Sequence, residues 1–200
     1  MGNSDSRRKA ASQRQRQIRS KAISFAAGGE EPAFIADVML GRLAKWLRIA
    51  GFDVLYSNRY TDDELMALSA QEGRILLSRD TRLLVRKSVR RFIFLESERV
   101  QSQLKQVFLA VHADSFPGIL ARCLTCNNVL EEIRREEVHD RVPPYVYETQ
   151  TRFKRCSKCG GIFWAGTHRR SVLYTLQKLL PAEESGVRGQ ESGARSRESE

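Results

Sequence analysis

The sequence predicts an α/β fold followed by a small, cysteine-clamped module, and three observations predict it. Short apolar runs without polar alternation, at Ala33–Ala36, Asp53–Tyr56, Ile75–Leu77 and Phe92–Leu95, suit strands buried on both faces. Stretches of helical periodicity lie between them, and strands alternating with helices build βαβ units with a parallel sheet flanked by helices. Behind that pattern, all four cysteines fall in two identical pairs, Cys123-x-x-Cys126 and Cys156-x-x-Cys159.

The elements can be justified in order. After the first strand, Leu40–Ala50 reads as a helix that stops at Gly51, with Leu40, Leu43 and Leu47 forming its apolar stripe. The strand at Asp53–Tyr56 is followed by a helix over Asp62–Glu72, opened by the capping box Thr61-x-x-Glu64 and ended by Gly73. The third strand leads to a helix over Thr81–Arg90, and the fourth to an amphipathic helix over Gln101–Val111. Residues 33–117 form this first unit. Residues 118–180 hold the cysteine module, with a β-leaning stretch around Val142–Phe153 and a closing helix near Arg170–Leu180. The ends differ in composition. Residues 1–32 are rich in Arg, Gln and Ser and read as a disordered or loosely helical basic arm, and residues 181–200 read as a disordered tail.

Each cysteine pair can bite one edge of a Zn²⁺ tetrahedron, and two pairs close it with four thiolates, which leaves no open position for catalysis. Asn127-Asn128 follows the first pair and Gly160-Gly161 the second, residues that accept the positive φ of a tight knuckle. The zinc is expected to be structural and the fold of the thin module to depend on it. Two disulfides are the alternative, and they need an oxidising compartment.

Composition narrows the partners. The chain of 200 residues carries a net charge of +10, and its first 33 residues account for only part of the excess, with seven Lys/Arg against three acids. A basic balance points to nucleic acid. The sequence has no run of about 20 apolar residues, so no membrane partner is expected. It also lacks a secretion-signal pattern, and with reduced cysteines this reads as cytoplasmic. The Arg-rich start also leaves a mitochondrial transit peptide open.

Acidic residues fall where an open α/β sheet binds ligands, outside the carboxyl ends of its strands. Asp37 directly follows the first strand, Asp80 follows the third, and Asp62, Asp63 and Glu64 lie beyond the second. Carboxylates brought together repel unless a hard cation sits among them, and Mg²⁺ or Mn²⁺ held there could activate water and clamp a phosphate. Each acid also has an ordinary use. Thr61 and Glu64 suit a cap, and Asp80 could cap the helix after it as readily as bind metal. Asp37 has the weakest ordinary use, since a carboxylate ending an apolar strand with no turn signal after it needs a partner. Arg42, Lys45 and, less exactly, Arg48 share one side of a helix, Arg79 and Arg82 flank Asp80, and Arg169 and Arg170 open the last helix. Such residues suit phosphate contacts that position a strand without reading its sequence. The alternative for Arg48 is a solvated helix face. Trp46 and Trp164 suit packing, and His168 could reach a ligand or a helix start.

The string Ala36-Asp37-Val38-Met39-Leu40-Gly41-Arg42-Leu43-Ala44-Lys45-Trp46-Leu47-Arg48, then Asp62-Asp63-Glu64-Leu65 and Ser78-Arg79-Asp80, resembles the Mut7-C RNase domain family. So do Arg122-Cys123-Leu124-Thr125-Cys126-Asn127, Val142-Pro143-Pro144, Cys156-Ser157-Lys158-Cys159-Gly160 and Trp164-Ala165-Gly166-Thr167-His168. The resemblance spans about Phe34 to Leu180. It implies a PIN-like (Rossmann-type) nuclease fold with a zinc ribbon behind it. It also implies metal-dependent ribonuclease activity, with Asp37, Asp80 and an acid of the 62–64 group as ligands. PIN-like nucleases usually carry a fourth late acid, for which Asp114 is the nearest candidate. Two other classes compete: a non-catalytic zinc-ribbon RNA-binding adaptor, and a receiver-like phosphoacceptor. The second would want paired acids after the first strand and a lysine ending a late one, and this chain has neither.

Overall fold

The computed structural model describes Ala10, residues 12–16, Ile18, residues 31–166 and residues 169–180. The expectations for His168, for the tail over 181–200 and for the rest of the first 32 residues lie outside the described residues.

Four short strands, β1 (Ala33–Ala36), β2 (Asp53–Tyr56), β3 (Ile75–Ser78) and β4 (Phe92–Phe94), pair in the order β2-β1-β3-β4, all parallel. Successive side chains of a strand point to opposite faces. Phe34, Ile75 and Leu77 therefore enter one core, and Ile35 and Leu76 the other, all at 1 % exposure or less. Two buried faces explain why the runs carry no polar alternation. Each such side chain contributes about 1.5–3 kcal/mol by leaving water.

A 3-10 turn at Val38–Leu40 leads into α1 (Gly41–Ala50), whose Leu43 and Leu47 pack on the first core beside α4 (Val100–Ala110) with its Leu104, Val107 and Phe108. Gly51 ends α1 at φ 103°, and a Cβ there would lie 2.5 Å from the backbone of Gly118, so only glycine fits. On the other face, α2 (Asp62–Gln71) contributes Leu65 and α3 (Thr81–Leu84) contributes Leu83 and Leu84. The expected capping box at Thr61 and Glu64 is present. The helix expected to reach Arg90 stops after Leu84, because Arg86, Lys87 and Ser88 turn the chain and Val89 is buried by the turn, not by a helix face. Ile18 is also buried against this second core, so a described helical part of the segment read as a disordered arm contributes one core residue.

The second module is an antiparallel sheet in the order β5 (Glu131–Ile133), β6 (Phe153–Arg155), β7 (Ile162–Trp164). Phe163 lies with the cysteines on one face, while Phe153 and Ile162 join Val138, Val142 and Val146 on the other. The stretch expected to lean towards strand is instead a helix, α5 (Pro144–Thr149). Valine and tyrosine favour strands, but Pro143 and Pro144 cannot donate to a ladder, and proline at the first helical position is pre-set for a helix. The last helix, α6 (Arg169–Gln177), returns Leu176 to the first core. Among the described residues, no helix is long and apolar enough to cross a membrane.

Candidate active site and metal centre

Register places the two central acids. Ala36 lies opposite Leu77, and the Asp37 N–H extends this ladder to the Leu77 carbonyl at 3.0 Å. Asp37 thus leaves β1 level with Ser78, the last residue of β3, and Asp80 follows two positions later. The Ser78 hydroxyl joins them: it donates to Asp37 Oδ2 at 2.6 Å and accepts the Asp80 N–H at 2.9 Å. Asp80 also spends Oδ1 on the Arg82 N–H at 2.7 Å, capping α3. The expected cap is present, and it uses Oδ1, leaving Asp80 Oδ2 with no hydrogen-bond partner among the described residues.

Asp37 is 5 % exposed, and among the described residues it has no ion-pair partner. A buried carboxylate without a countercharge is costly unless a cation joins it. A divalent cation fits this pair of acids in charge and donor type.

The other expected acids are engaged differently. Asp63 receives Arg86 Nη1 at 2.8 Å, Asp62 faces Arg86 Nη2 at 3.4 Å, and Glu64 is used by the capping box. Bonding to Thr61 lowers the Glu64 pKa. Asp114 does not reach the rim. It follows α4, whose Phe108 stacks near Phe52 just before β2, at the amino end of the sheet. Among the described residues, only the four cysteines bring three or more such ligand atoms within 4.8 Å of one another.

Arg42 and Lys45 are exposed on α1, and Arg169 and Arg170 are exposed at the start of α6. Arg79 donates to Glu98 at 2.8 Å, while its buried Nε has no partner among the described residues. Arg48 corrects the solvated-face alternative. At 4 % exposure, it donates through Nε and Nη2 to the Val54 carbonyl at 3.0 and 2.8 Å, and through Nη1 to Leu124 and Thr125 at 2.8 and 3.1 Å. Desolvation lowers its pKa, against the pull of Cys123 and other acidic groups.

The cysteines form a complete ligand set. All four are free, and their Sγ atoms lie within 4.8 Å of one another. Cys123 and Cys159 come from different pairs, yet their Sγ atoms stand 3.8 Å apart. A tetrahedron with Zn–S bonds of about 2.3 Å has edges of about 3.8 Å, so four thiolates here fit zinc. The two knuckles repeat one geometry. Asn127 and Gly160 both take positive φ (67° and 70°), and each N–H returns to the carbonyl of the first cysteine of its pair, at 2.9 and 2.8 Å. The Gly161 amide holds the Cys159 thiol down to about 7, and the bond shared with Cys159 pushes Cys126 up to about 12.

Sequence reasoning missed two groups of residues. Ser78 is one: it stands in the Ser78-Arg79-Asp80 string with no role given to its hydroxyl. The other is the junction between sheet and knuckle. Asn127 accepts the Val54 N–H at 3.0 Å and donates to Asp53 at 2.9 Å, Asp53 also pairs with Arg74, and Arg122 Nε donates to the Gly51 carbonyl at 2.9 Å. Burial raises the Asp53 pKa, but bonds from Arg74 and Asn127 outweigh it and hold the carboxyl below its usual range. The contacts of Asn127 and Arg122 link residues more than 70 positions apart, which no local pattern encodes.

A family model described as the Mut7-C RNAse domain matches residues 32–176. Comparison with curated proteins gives no match, and neither does comparison with solved structures.

Proposed function

Because this chain belongs to the Mut7-C RNAse domain family, we propose that it is a metal-dependent ribonuclease with a PIN-like nuclease core. Its site is the rim carrying Asp37 and Asp80. The observation that carries this reading is a buried Asp37 with no ion-pair partner among the described residues, joined through one hydroxyl to the segment bearing Asp80. Mg²⁺ or Mn²⁺ bound there would supply Lewis acidity and a water acidic enough to attack a phosphodiester. Asp37 and Asp80 hold the cation, and Asp62 or Asp63 orients water from the flank once Arg86 shifts. Arg79 contacts the phosphate beside Asp80. Arg42 and Lys45 on α1, with Arg169 and Arg170 at the start of α6, bind the RNA backbone by charge. The zinc ribbon holds its shape through four thiolates and aids RNA binding. Its reduced cysteines suit the cytoplasm.

One observation favours a second reading, the non-catalytic RNA-binding adaptor: Asp62 and Asp63 are neutralised by Arg86 and not left to a metal. The test that separates the two is cleavage of matched RNA and DNA with Mg²⁺, Mn²⁺ or EDTA, comparing the chain with Asp37→Asn and Asp80→Asn. The nuclease reading expects RNA cleavage that needs the cation and is lost in both variants. RNA binding without cleavage under every metal condition supports the adaptor instead.

A further inference from the structure

Ser78 sits between the two rim acids with its hydroxyl fully used. It is 0 % exposed. The Asp80 N–H donates to Oγ, so Oγ is an acceptor there. A hydroxyl has one proton, and it goes to Asp37 Oδ2 at 2.6 Å. A donor on Oδ2 fixes the rotation of the Asp37 carboxylate and leaves Oδ1 with no hydrogen-bond partner among the described residues. Asp80 is restricted in the same way: its backbone is tied to Ser78 and its Oδ1 to Arg82, so Oδ2 is the oxygen left over.

We infer that Ser78 is a positioning residue that makes Asp37 and Asp80 present one oxygen each, Asp37 Oδ1 and Asp80 Oδ2, to a divalent cation. This rests on the nuclease reading of the rim. Two single-oxygen ligands suit a small octahedral ion that keeps several waters, such as Mg²⁺ or Mn²⁺. They suit Ca²⁺ poorly, since it takes six to eight oxygens and often two from one carboxylate. Without the hydroxyl, Asp37 Oδ2 loses its partner and the carboxylate can rotate, so the pair is no longer pre-set. Partners of metal ligands of this kind typically account for about 10- to 100-fold in metal affinity.

The experiment measures Mn²⁺ binding by the electron paramagnetic resonance of free Mn²⁺, alongside Mn²⁺-dependent RNA cleavage. It compares the full chain with Ser78→Ala, Ser78→Thr and Asp37→Asn, each checked for an unchanged melting transition. The expected result for Ser78→Ala is a dissociation constant for Mn²⁺ raised about 10- to 100-fold, with most of the cleavage rate recovered at saturating Mn²⁺. Ser78→Thr keeps the hydroxyl and retains near-parental affinity, and Asp37→Asn neither binds at the rim nor cleaves. If Ser78→Ala binds Mn²⁺ like the parent while Asp37→Asn fails, the positioning role is wrong and the rim stands. Should the parent chain itself bind no Mn²⁺ at Asp37, the nuclease reading falls and this role falls with it. If Ser78→Ala does not fold, Ser78→Thr decides: lost Mn²⁺ affinity in that folded variant overturns the inference.

Discussion

The two ends of the parallel sheet treat charge in opposite ways. At the amino end, Asp53, Arg74, Asn127, Arg122 and Arg48 satisfy one another and the backbone of edge strand β2. Val54 offers its N–H and carbonyl to the open side of that strand. Asn127 takes the first and Arg48 the second, so the first cysteine knuckle and α1 together do the work of a neighbouring strand. At the carboxyl end, Asp37 and Asp80 are ordered by hydrogen bonds yet each keeps an oxygen with no described partner. Polar groups that are fully paired belong to stability. Ordered groups with unspent valence at a strand end are where the proposed function places its chemistry.

The contrast predicts opposite phenotypes. Asp37→Asn or Asp80→Asn should lower RNA cleavage roughly 10³-fold, the rate equivalent of several kcal/mol of lost charge stabilisation, while the melting temperature moves little. Single-turnover assays with thermal melts check this. Chelation of zinc, or Cys156→Ser, should unfold the ribbon and also loosen β2, because Asn127 and the carbonyls held by Arg48 belong to the first knuckle. Hydrogen exchange at Val54 would report that. A Val54 amide still protected in zinc-free protein breaks the proposed link between the first knuckle and β2.

Arg48→Ala should cost about 3 kcal/mol, since it leaves three buried or half-buried carbonyls without donors, and Asn127→Ala about 2 kcal/mol, both read by urea unfolding. Zinc release should follow acidification. Metal binding expels thiol protons, including those of Cys159 near 7 and Cys126 near 12, so affinity rises with pH and is lost as pH falls. A zinc-sensitive dye measures this across pH. The smallest effect should come from Asp63→Asn, about 0.5 kcal/mol in stability for an exposed ion pair, with a cleavage loss well below that of Asp37→Asn.

Much of this was legible in the sequence, for identifiable reasons. Apolar runs marked β1 to β4, and the glycine stops marked the ends of α1 and α2, within a residue or two, because burial on both faces leaves a local composition; α3, with no such stop, ends six residues early. The thiolates were legible because cysteine has few other uses and the spacing is local. Carboxylates were harder to read, since the same Asp80 caps a helix and faces the rim. The helical α5 was hidden by strand-favouring side chains around a proline start. Arg48 reads in the sequence as a phosphate contact or a solvated cation, and neither reading could see its bonds to Val54 and to Leu124 and Thr125, the last two about 76 positions away.

The central claim is that two aspartates distant in sequence share one hard cation at the rim. Anomalous scattering from crystals soaked in Mn²⁺ tests it most directly. The expected peak lies between Asp37 Oδ1 and Asp80 Oδ2, with the thiolate cluster giving a zinc signal apart from it. Manganese bound elsewhere, with this rim bare at a concentration that supports RNA cleavage, would contradict the claim.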